Sequence, residues 1–519
     1  MKPRTALLVT ALTLIAACSG KNVLLGGAPL TRGGMGGVTE GGAGATTTTG
    51  GSATAGTLNV DGGNEVVPCA DGGKTTISGT VWDPGKNTPL YNAVVYVPSD
   101  NTPPSFTDQV ACEKCGAQQI KARAVALSDS NGHFVLDTDV PDTPNVELAV
   151  QLGKWFRQMT VKVNPCQPNT LTDKDLTRLP QSKADGEYSH IPKIALSTGH
   201  SDALECLLRK IGIDLSEFTT DAGDGRVNMF VGCINDTTQH YGANHFVDGT
   251  MFPSTNQLFD TPGELNQYDV VIFSCEGHKC SDTQDSPTPI QTAPHIAQLV
   301  DFANHGGRVY LDHDHYNWLN HIKGDELQDA AEFSSSSTAP PSPLPTNIDT
   351  DFPKGQAFAQ WLVNVNASTT LGSLDIFSSK TSVENIYPPA QSWIYQTGMY
   401  ADFFYFTIGT PFTLASDTSS SSDGTGGEGG ASNTNDTQAC GRVVFTDLHV
   451  SKSGGGCDAT TTTCGETDDM SDQNTPFPLG CTSTGLLPQE KALEFMLFDL
   501  TSCVQKETEP PAPPPVVVK

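Results

Sequence analysis

The stretch Gly306-Gly307-Arg308-Val309-Tyr310-Leu311-Asp312-His313-Asp314-His315 decides how the larger part of the chain is read. Its double glycine stops a preceding helix that opens at Pro294 and carries Ile296, Leu299 and Val300 at helical spacing. Residues 308–311 then form the next strand, and a run of titratable residues follows at once. The same alternation extends in both directions. Upstream, residues 193–198 read as a buried strand, and Ser201 is expected to cap a helix carrying Leu204, Leu207, Leu208 and Ile211. Further strands are expected at 227–231, 268–273 and 442–446, and a last helix from Pro488 carries Ala492, Leu493, Phe495, Met496, Leu497 and Leu500. Alternating strands and helices argue an α/β domain over 188–505, a doubly wound parallel sheet covered on both faces. The stretch between Leu311 and Arg442 reads as long and irregular, with inserts at about 320–390 and 416–440.

Before that domain the period changes. Short alternating runs at 75–82, 93–97, 124–127 and 133–136 are separated by Gly, Pro and Asn-Gly punctuation, which predicts an all-β sandwich over 67–180. Asn131-Gly132 supplies the positive φ of a tight hairpin turn. The order Ile77-Ser78-Gly79-Thr80-Val81, Pro89-Leu90-Tyr91-Asn92-Ala93-Val94-Val95, Ser128-Asp129-Ser130-Asn131-Gly132-His133-Phe134 and Val140-Pro141 resembles the carboxypeptidase regulatory-like domain. That resemblance implies a prealbumin-type accessory module that binds or spaces. In the larger domain, Gly306–His313 and Gly441-Arg442-Val443-Val444-Phe445-Thr446-Asp447-Leu448-His449 resemble the trehalose-utilisation (ThuA-like) branch of the class I glutamine amidotransferase-like fold. This resemblance implies a flavodoxin-like sheet and an enzyme of carbohydrate or a related small polar substrate.

The amino terminus places Lys2 and Arg4 before an apolar run from Ala6 to Ala17, too short to span a bilayer and suited to a signal peptide over 1–17. Ile15-Ala16-Ala17-Cys18 resembles a bacterial lipobox, which implies lipidation of Cys18 and anchoring in the outer membrane. Residues 18–66 are rich in Gly and Thr and too poor in apolar side chains to fold, so they read as a disordered tether. Residues 506–519 form a Pro-rich tail, expected as a spacer outside the core.

The chain has 519 residues with 29 Lys and Arg against 58 Asp and Glu, a formal charge of −29, which excludes nucleic acid as a main partner. Fourteen Cys without zinc-ribbon spacing imply an oxidising compartment. Cys69, Cys112, Cys115 and Cys166 form an even set within the sandwich, allowing two disulfides there. Nine Cys fall in the α/β domain, so one is unpaired or joins the two units. Cys457, Cys464 and Cys481 are expected to staple a Thr- and Gly-rich loop.

An open parallel sheet places its ligand crevice beyond the carboxyl ends of its strands. There lie His200 and Ser201 after one strand, and Cys275, Glu276 and His278 after another. Asp312, His313, Asp314 and His315 follow a third, and His449 a fourth. With His240 these are six of the twelve His. The amidotransferase relatives carry a nucleophilic Cys on a sharp strand-to-helix turn, and here residues 312–315 hold no Cys. Cys275, as an exported thiol, is expected in a disulfide with Cys280. Ser201 within Gly199–Ala203 is a relaxed nucleophile elbow, with Asp314 and His449 following in hydrolase order. His313 and His315 with Asp312 offer ligands suited to Zn²⁺ or a similar ion, while solvated or hydrogen-bonded histidines are the plainer alternative.

Two functional readings follow. One is an outer-membrane-anchored envelope lipoprotein with a binding or structural role, its amidotransferase-like domain lacking the usual nucleophile and its partner a carbohydrate or an envelope protein. The other is an enzyme acting on carbohydrate or a small polar substrate through the His/Asp cluster, with or without metal.

Overall fold

The computed structural model describes residues 69, 73–100, 102–117, 119–138, 144–234, 242–283, 286–320, 327, 330–333, 340–411, 439–450 and 469–517. The expected signal peptide, Cys18, the tether, His240, Cys457 and Cys464 lie outside them. Among the described residues no helix is long and apolar enough to cross a membrane. The protein is multidomain and rich in sheet, with few helices.

The amino-terminal part contains β1 (Thr75–Thr80), β2 (Val94–Pro98), β3 (Ala122–Leu127), β4 (His133–Thr138), β5 (Asn145–Leu152), β6 (Trp155–Lys162), β7 (Pro168–Thr170) and β8 (Tyr188–His190). They form a three-stranded sheet, β4-β1-β7, and a five-stranded sheet, β3-β2-β5-β6-β8. Period-2 alternation buries Ile77, Phe134 and Leu136 from the first and Val95, Val97, Leu148 and Val150 from the second in one cluster. The Asn131-Gly132 turn does have its positive φ, at Gly132, but it is not a hairpin, because β3 pairs with β2 while β4 pairs with β1. It carries the chain from one sheet to the other. The Asp129 carboxylate accepts from the backbone N–H groups of Asn131 and His133 and shapes the turn locally, where a hairpin would use ladder bonds.

The second part runs β9 (Ile194–Thr198), α1 (Leu204–Lys210), β10 (Phe218–Thr219), β11 (Val227–Val231), α2 (Gln257–Asp260), β12 (Val270–Phe273), α3 (Ala293–Asn304), β13 (Arg308–Asp312), α4 (Asn317–Asn320), β14 (Ala331–Phe333), β15 (Leu344–Ile348), α5 (Pro353–Asn364), β16 (Ser373–Ile376), β17 (Val383–Ile386), β18 (Gln391–Gln396), β19 (Asp402–Thr410), β20 (Gly441–Thr446) and α6 (Pro488–Thr501). Ten strands form one sheet in the order β10-β11-β9-β12-β13-β20-β19-β18-β15-β16. From β10 to β20 all neighbours are parallel. Beyond β20 every pairing is antiparallel. The expectation of a purely parallel sheet is therefore corrected. Much of the stretch read as irregular supplies β15, β16, β18 and β19, which extend the sheet past its parallel half.

Alternation along the central strands sorts side chains to two faces. Ile194, Leu196, Val270, Ile272, Tyr310 and Val444 join a cluster with α1, α5, α6 and the sandwich. Ala195, Val271, Phe273, Val309, Leu311, Val443 and Phe445 join another with α2 and α3. Each fully buried large apolar side chain contributes roughly 1.5–3 kcal/mol. Ser201 does not cap α1, since the cap position is Ala203.

The two parts are joined through their cores. Trp155 packs edge-on to Phe498, with 5.6 Å between ring centroids, and its Nε1 donates to Thr501 Oγ1 at 3.0 Å. Trp361 Nε1 donates to the Pro89 carbonyl at 2.6 Å. Among the described residues the disulfides are Cys69–Cys166, Cys112–Cys440, Cys115–Cys503, Cys206–Cys481 and Cys233–Cys280. Three expectations are corrected here, the first being that Cys481 pairs with Cys206 and not within the Thr- and Gly-rich loop. Cys112 and Cys115 bridge to the α/β part, and Cys280 pairs with Cys233, leaving Cys275 free and buried. The Pro-rich tail returns to the sandwich, where Ile120 donates its N–H to the Pro515 carbonyl at 3.0 Å and accepts from Val517 N–H at 2.9 Å.

Candidate functional site

Strand order in the parallel half reverses between β9 and β12. Such a reversal sends successive connections to opposite sides and leaves a crevice at the strand carboxyl ends. Here the crevice is drawn tight by glycine. A Cβ on Gly199, just after β9, would lie 2.2 Å from the Cys275 carbonyl oxygen, so only glycine lets the two loops meet. Ser201 N–H donates to that same oxygen at 2.9 Å.

Three side chains converge there. Cys275 Sγ lies 3.1 Å from His313 Nδ1 and 3.7 Å from Asp314 Oδ2, and His313 Nδ1 lies 3.4 Å from Asp314 Oδ2. Cys275 comes from the loop after β12, which its own sulfur helps to fold by accepting the Gly277 N–H at 3.3 Å. His313 stands directly after β13 with φ +42°, a left-handed backbone that a branched or bulky residue seldom adopts. This strained turn is the elbow of the strand, occupied by imidazole, and the thiol reaches it from the neighbouring strand. Cys275 and His313 are buried and Asp314 is half-buried.

The electrostatics disfavour charge on the first two groups. Burial, followed by the charges of Asp314, Asp202 and Asp312, pushes the Cys275 thiol well above its ordinary pKa. Burial, followed by His449 and Lys380, pushes His313 well below its own. A thiolate–imidazolium pair is therefore not the resting form. The resting set is a neutral thiol and a neutral imidazole beside the Asp314 side chain. A divalent cation suits that set, since it takes the thiol as thiolate and the imidazole neutral.

Beside it, His449 Nδ1 lies 2.5 Å from Asp202 Oδ2, whose other oxygen accepts from Val450 N–H at 2.8 Å. His449 Nε2 is buried and has no hydrogen-bond partner among the described residues, and the His449 and His313 rings stand 5.4 Å apart between centroids. The dyad has the form of an oriented general base. Asp447, after β20, accepts from Ser382 N–H and Oγ, and burial raises its pKa to about 6.

The expected ligand set of His313, His315 and Asp312 is not brought together. His315 Nε2 faces Glu276 Oε2 at 2.8 Å and the Ser274 carbonyl at 3.0 Å, while its Nδ1 accepts from Trp318 Nε1 at 3.1 Å. Both ring nitrogens are thus engaged in holding the turn. Asp312 is buried beside Asp202, and burial, followed by that charge, pushes its pKa far up. Among the described residues, ligand-type atoms of three or more His, Cys, Asp or Glu gather within 4.8 Å in two places, Cys275–His313–Asp314 and Cys233–His278–Cys280. His200 is half-buried in the loop after β9. Ser201 contributes its backbone N–H to the loop contact with Cys275. Sequence reading missed Asp202 as a partner of His449, although it stands at a strand end four residues after Thr198.

No family model and no curated protein matches the chain. Among solved structures a 9R-lipoxygenase from Cyanothece is matched at 19% identity with a TM-score of 0.13, over 22% of this chain and 19% of that one. So small a likeness carries no argument about fold or site.

Gly199→Ala is expected to push the Cys275 loop away, at a cost of about 1–3 kcal/mol as for overpacking elsewhere. Denaturant unfolding of the disulfide-intact protein measures it, and unchanged stability would show that the loops part freely.

Proposed function

We propose that the protein is an envelope-anchored, metal-dependent hydrolase acting on a carbohydrate or related small polar substrate. The observation that carries this reading is the convergence of Cys275 Sγ, His313 Nδ1 and Asp314 Oδ2 within 3.7 Å of one another. Three protein ligands of mixed S, N and O type leave a fourth position of a tetrahedral ion open, the arrangement of catalytic and not structural zinc. A cation bound there would supply a Lewis acid and an acidified water. The chain's own groups do the rest. His313, Asp314 and Cys275 would hold the ion, Cys275 as the thiolate, and the His449–Asp202 dyad would act beside it as an oriented base that accepts a proton at Nε2.

Leaving out the two-residue edge strand β10, the parallel order β11-β9-β12-β13-β20 is 2-1-3-4-5 counted along the chain and supports the flavodoxin-like, amidotransferase-like assignment. The ThuA-like motif resemblance supports the carbohydrate class. The two-sheet arrangement at 75–190 is consistent with a carboxypeptidase regulatory-like spacer, and the lipobox at Cys18 supports an outer-membrane anchor.

Metal analysis tests the centre. Purified unlipidated protein is expected to bind one Zn²⁺ per chain, and Co²⁺ in its place should give a thiolate-to-cobalt charge-transfer band. Cys275→Ser should lose the band. Absence of stoichiometric metal in the folded wild-type protein would sink the reading and leave the binding or structural role.

A further inference from the structure

The loop after β12 carries a second constellation that the first does not use. His278 Nε2 lies 3.4 Å from Cys233 Sγ and 3.9 Å from Cys280 Sγ, the two sulfurs of one disulfide. His278 Nδ1 lies 3.2 Å from the Glu276 carbonyl oxygen. A carbonyl can only accept, so the ring proton sits on Nδ1 and Nε2 presents a lone pair to the sulfurs. Disulfide sulfurs have no proton to offer in return. In the oxidised protein that lone pair faces two other sets of lone pairs. The same geometry matches a metal-ligating histidine, whose distal N–H is held by a backbone carbonyl while the near nitrogen points at the ion.

We propose that Cys233, His278 and Cys280 form a redox-gated site for a thiophilic divalent ion such as Zn²⁺, closed as the disulfide and opened by a dithiol. The dithiol donates two electrons and two protons, the S–S bond breaks, two thiols form and the dithiol becomes a disulfide. The ion then displaces both thiol protons and gains two sulfur bonds and one bond from His278 Nε2, with water in the fourth position. The frame is already set. Cys233 and Cys280 are buried on loops fixed by β11 and β12, and the Cys280 carbonyl accepts from Ile290 and Gln291 N–H at 3.1 and 2.9 Å. His278 is half-buried, which leaves the ring a path to solvent.

The proposal stands apart from the Cys275 centre and is tested with that centre removed. In a Cys275→Ser background, Zn²⁺ binding is measured before and after treatment with a dithiol, and alkylation with mass mapping counts the thiols at each stage. The oxidised protein is expected to hold no stoichiometric zinc and the reduced protein one equivalent. Adding His278→Ala should abolish that equivalent at the same thiol count, and His278→Gln should behave alike if the fold is intact by circular dichroism. Retention of the equivalent in both His278 variants, or no zinc in protein whose Cys233 and Cys280 are alkylatable, would overturn the proposal.

Discussion

Asp499→Ala is expected to cost about 3–5 kcal/mol of folding stability, the loss typical of leaving buried charge without its counter-ion. Asp499, on α6, places Oδ1 2.8 Å from Lys354 Nζ and Oδ2 2.6 Å from Arg442, and both cationic side chains are almost wholly buried. Glu507 is the other acid of the group, 3.4 Å from Lys354 and 2.8 Å from Arg442. Without Asp499, two buried cations share one carboxylate. Burial alone would raise the Asp499 pKa, but Lys354 and Arg442 outweigh it and hold the carboxyl below its ordinary value. Because the folded pKa is depressed, this stabilisation is present above the unfolded Asp value and is lost as pH falls through the folded one. Denaturant titration with the disulfides intact measures the loss. Asp499→Asn keeps the shape and should cost a comparable amount, and a loss under about 1 kcal/mol in both variants would show the charges to be solvated after all.

His449→Ala should lower turnover by about 10²–10⁴-fold, the usual contribution of a positioned general base. The readout is hydrolysis of whichever chromogenic glycoside or ester the zinc-loaded wild-type protein turns over fastest. Zinc stoichiometry should survive, since His449 is outside the ligand trio. Burial opposes the charged imidazolium, but the Asp202 charge and hydrogen bond outweigh it and raise the His449 pKa above the ordinary histidine range. A base must be neutral to act, so activity should rise with pH as His449 loses its proton. The stability linkage runs the other way. A raised folded pKa gives stabilisation that is complete below the unfolded value and lost as pH rises through the folded one. Unchanged turnover in the variant would remove His449 from the chemistry.

The parallel half of the sheet was legible because β9, β12, β13 and β20 are short apolar runs bounded by Gly, Pro or titratable residues, and both faces bury them. The antiparallel half was not. Strand β15 mixes Pro, Thr and Asn with Leu344 and Ile348, β18 flanks Trp393-Ile394-Tyr395 with Gln and Ser, and both join the sheet through tertiary pairing, β18 on β19 and β15 on β18. Strand ends pointed to His313, Asp314 and His449, and the structure sets His313 beside Asp314 and 5.4 Å, ring to ring, from His449. Which atoms meet was a different matter, set by the left-handed turn at His313, the missing Cβ of Gly199 and the partner chosen by Cys280. Those depend on contacts between residues dozens to hundreds of positions apart. The same distance hid the pairing of Cys112 and Cys115, whose partners lie 328 and 388 residues away.

Those two bridges also settle how the molecule would carry a mechanical load. Tension applied between the two ends of the chain enters through the sandwich, reaches Cys115 and crosses covalently to Cys503, close to the carboxyl terminus. Everything between those positions hangs off the load path like a loop off a taut cord. The sheet that holds Cys275 and His313 lies wholly inside that loop. Pulling on the protein would load β1 and β2, which precede Cys115, before it deformed the candidate centre.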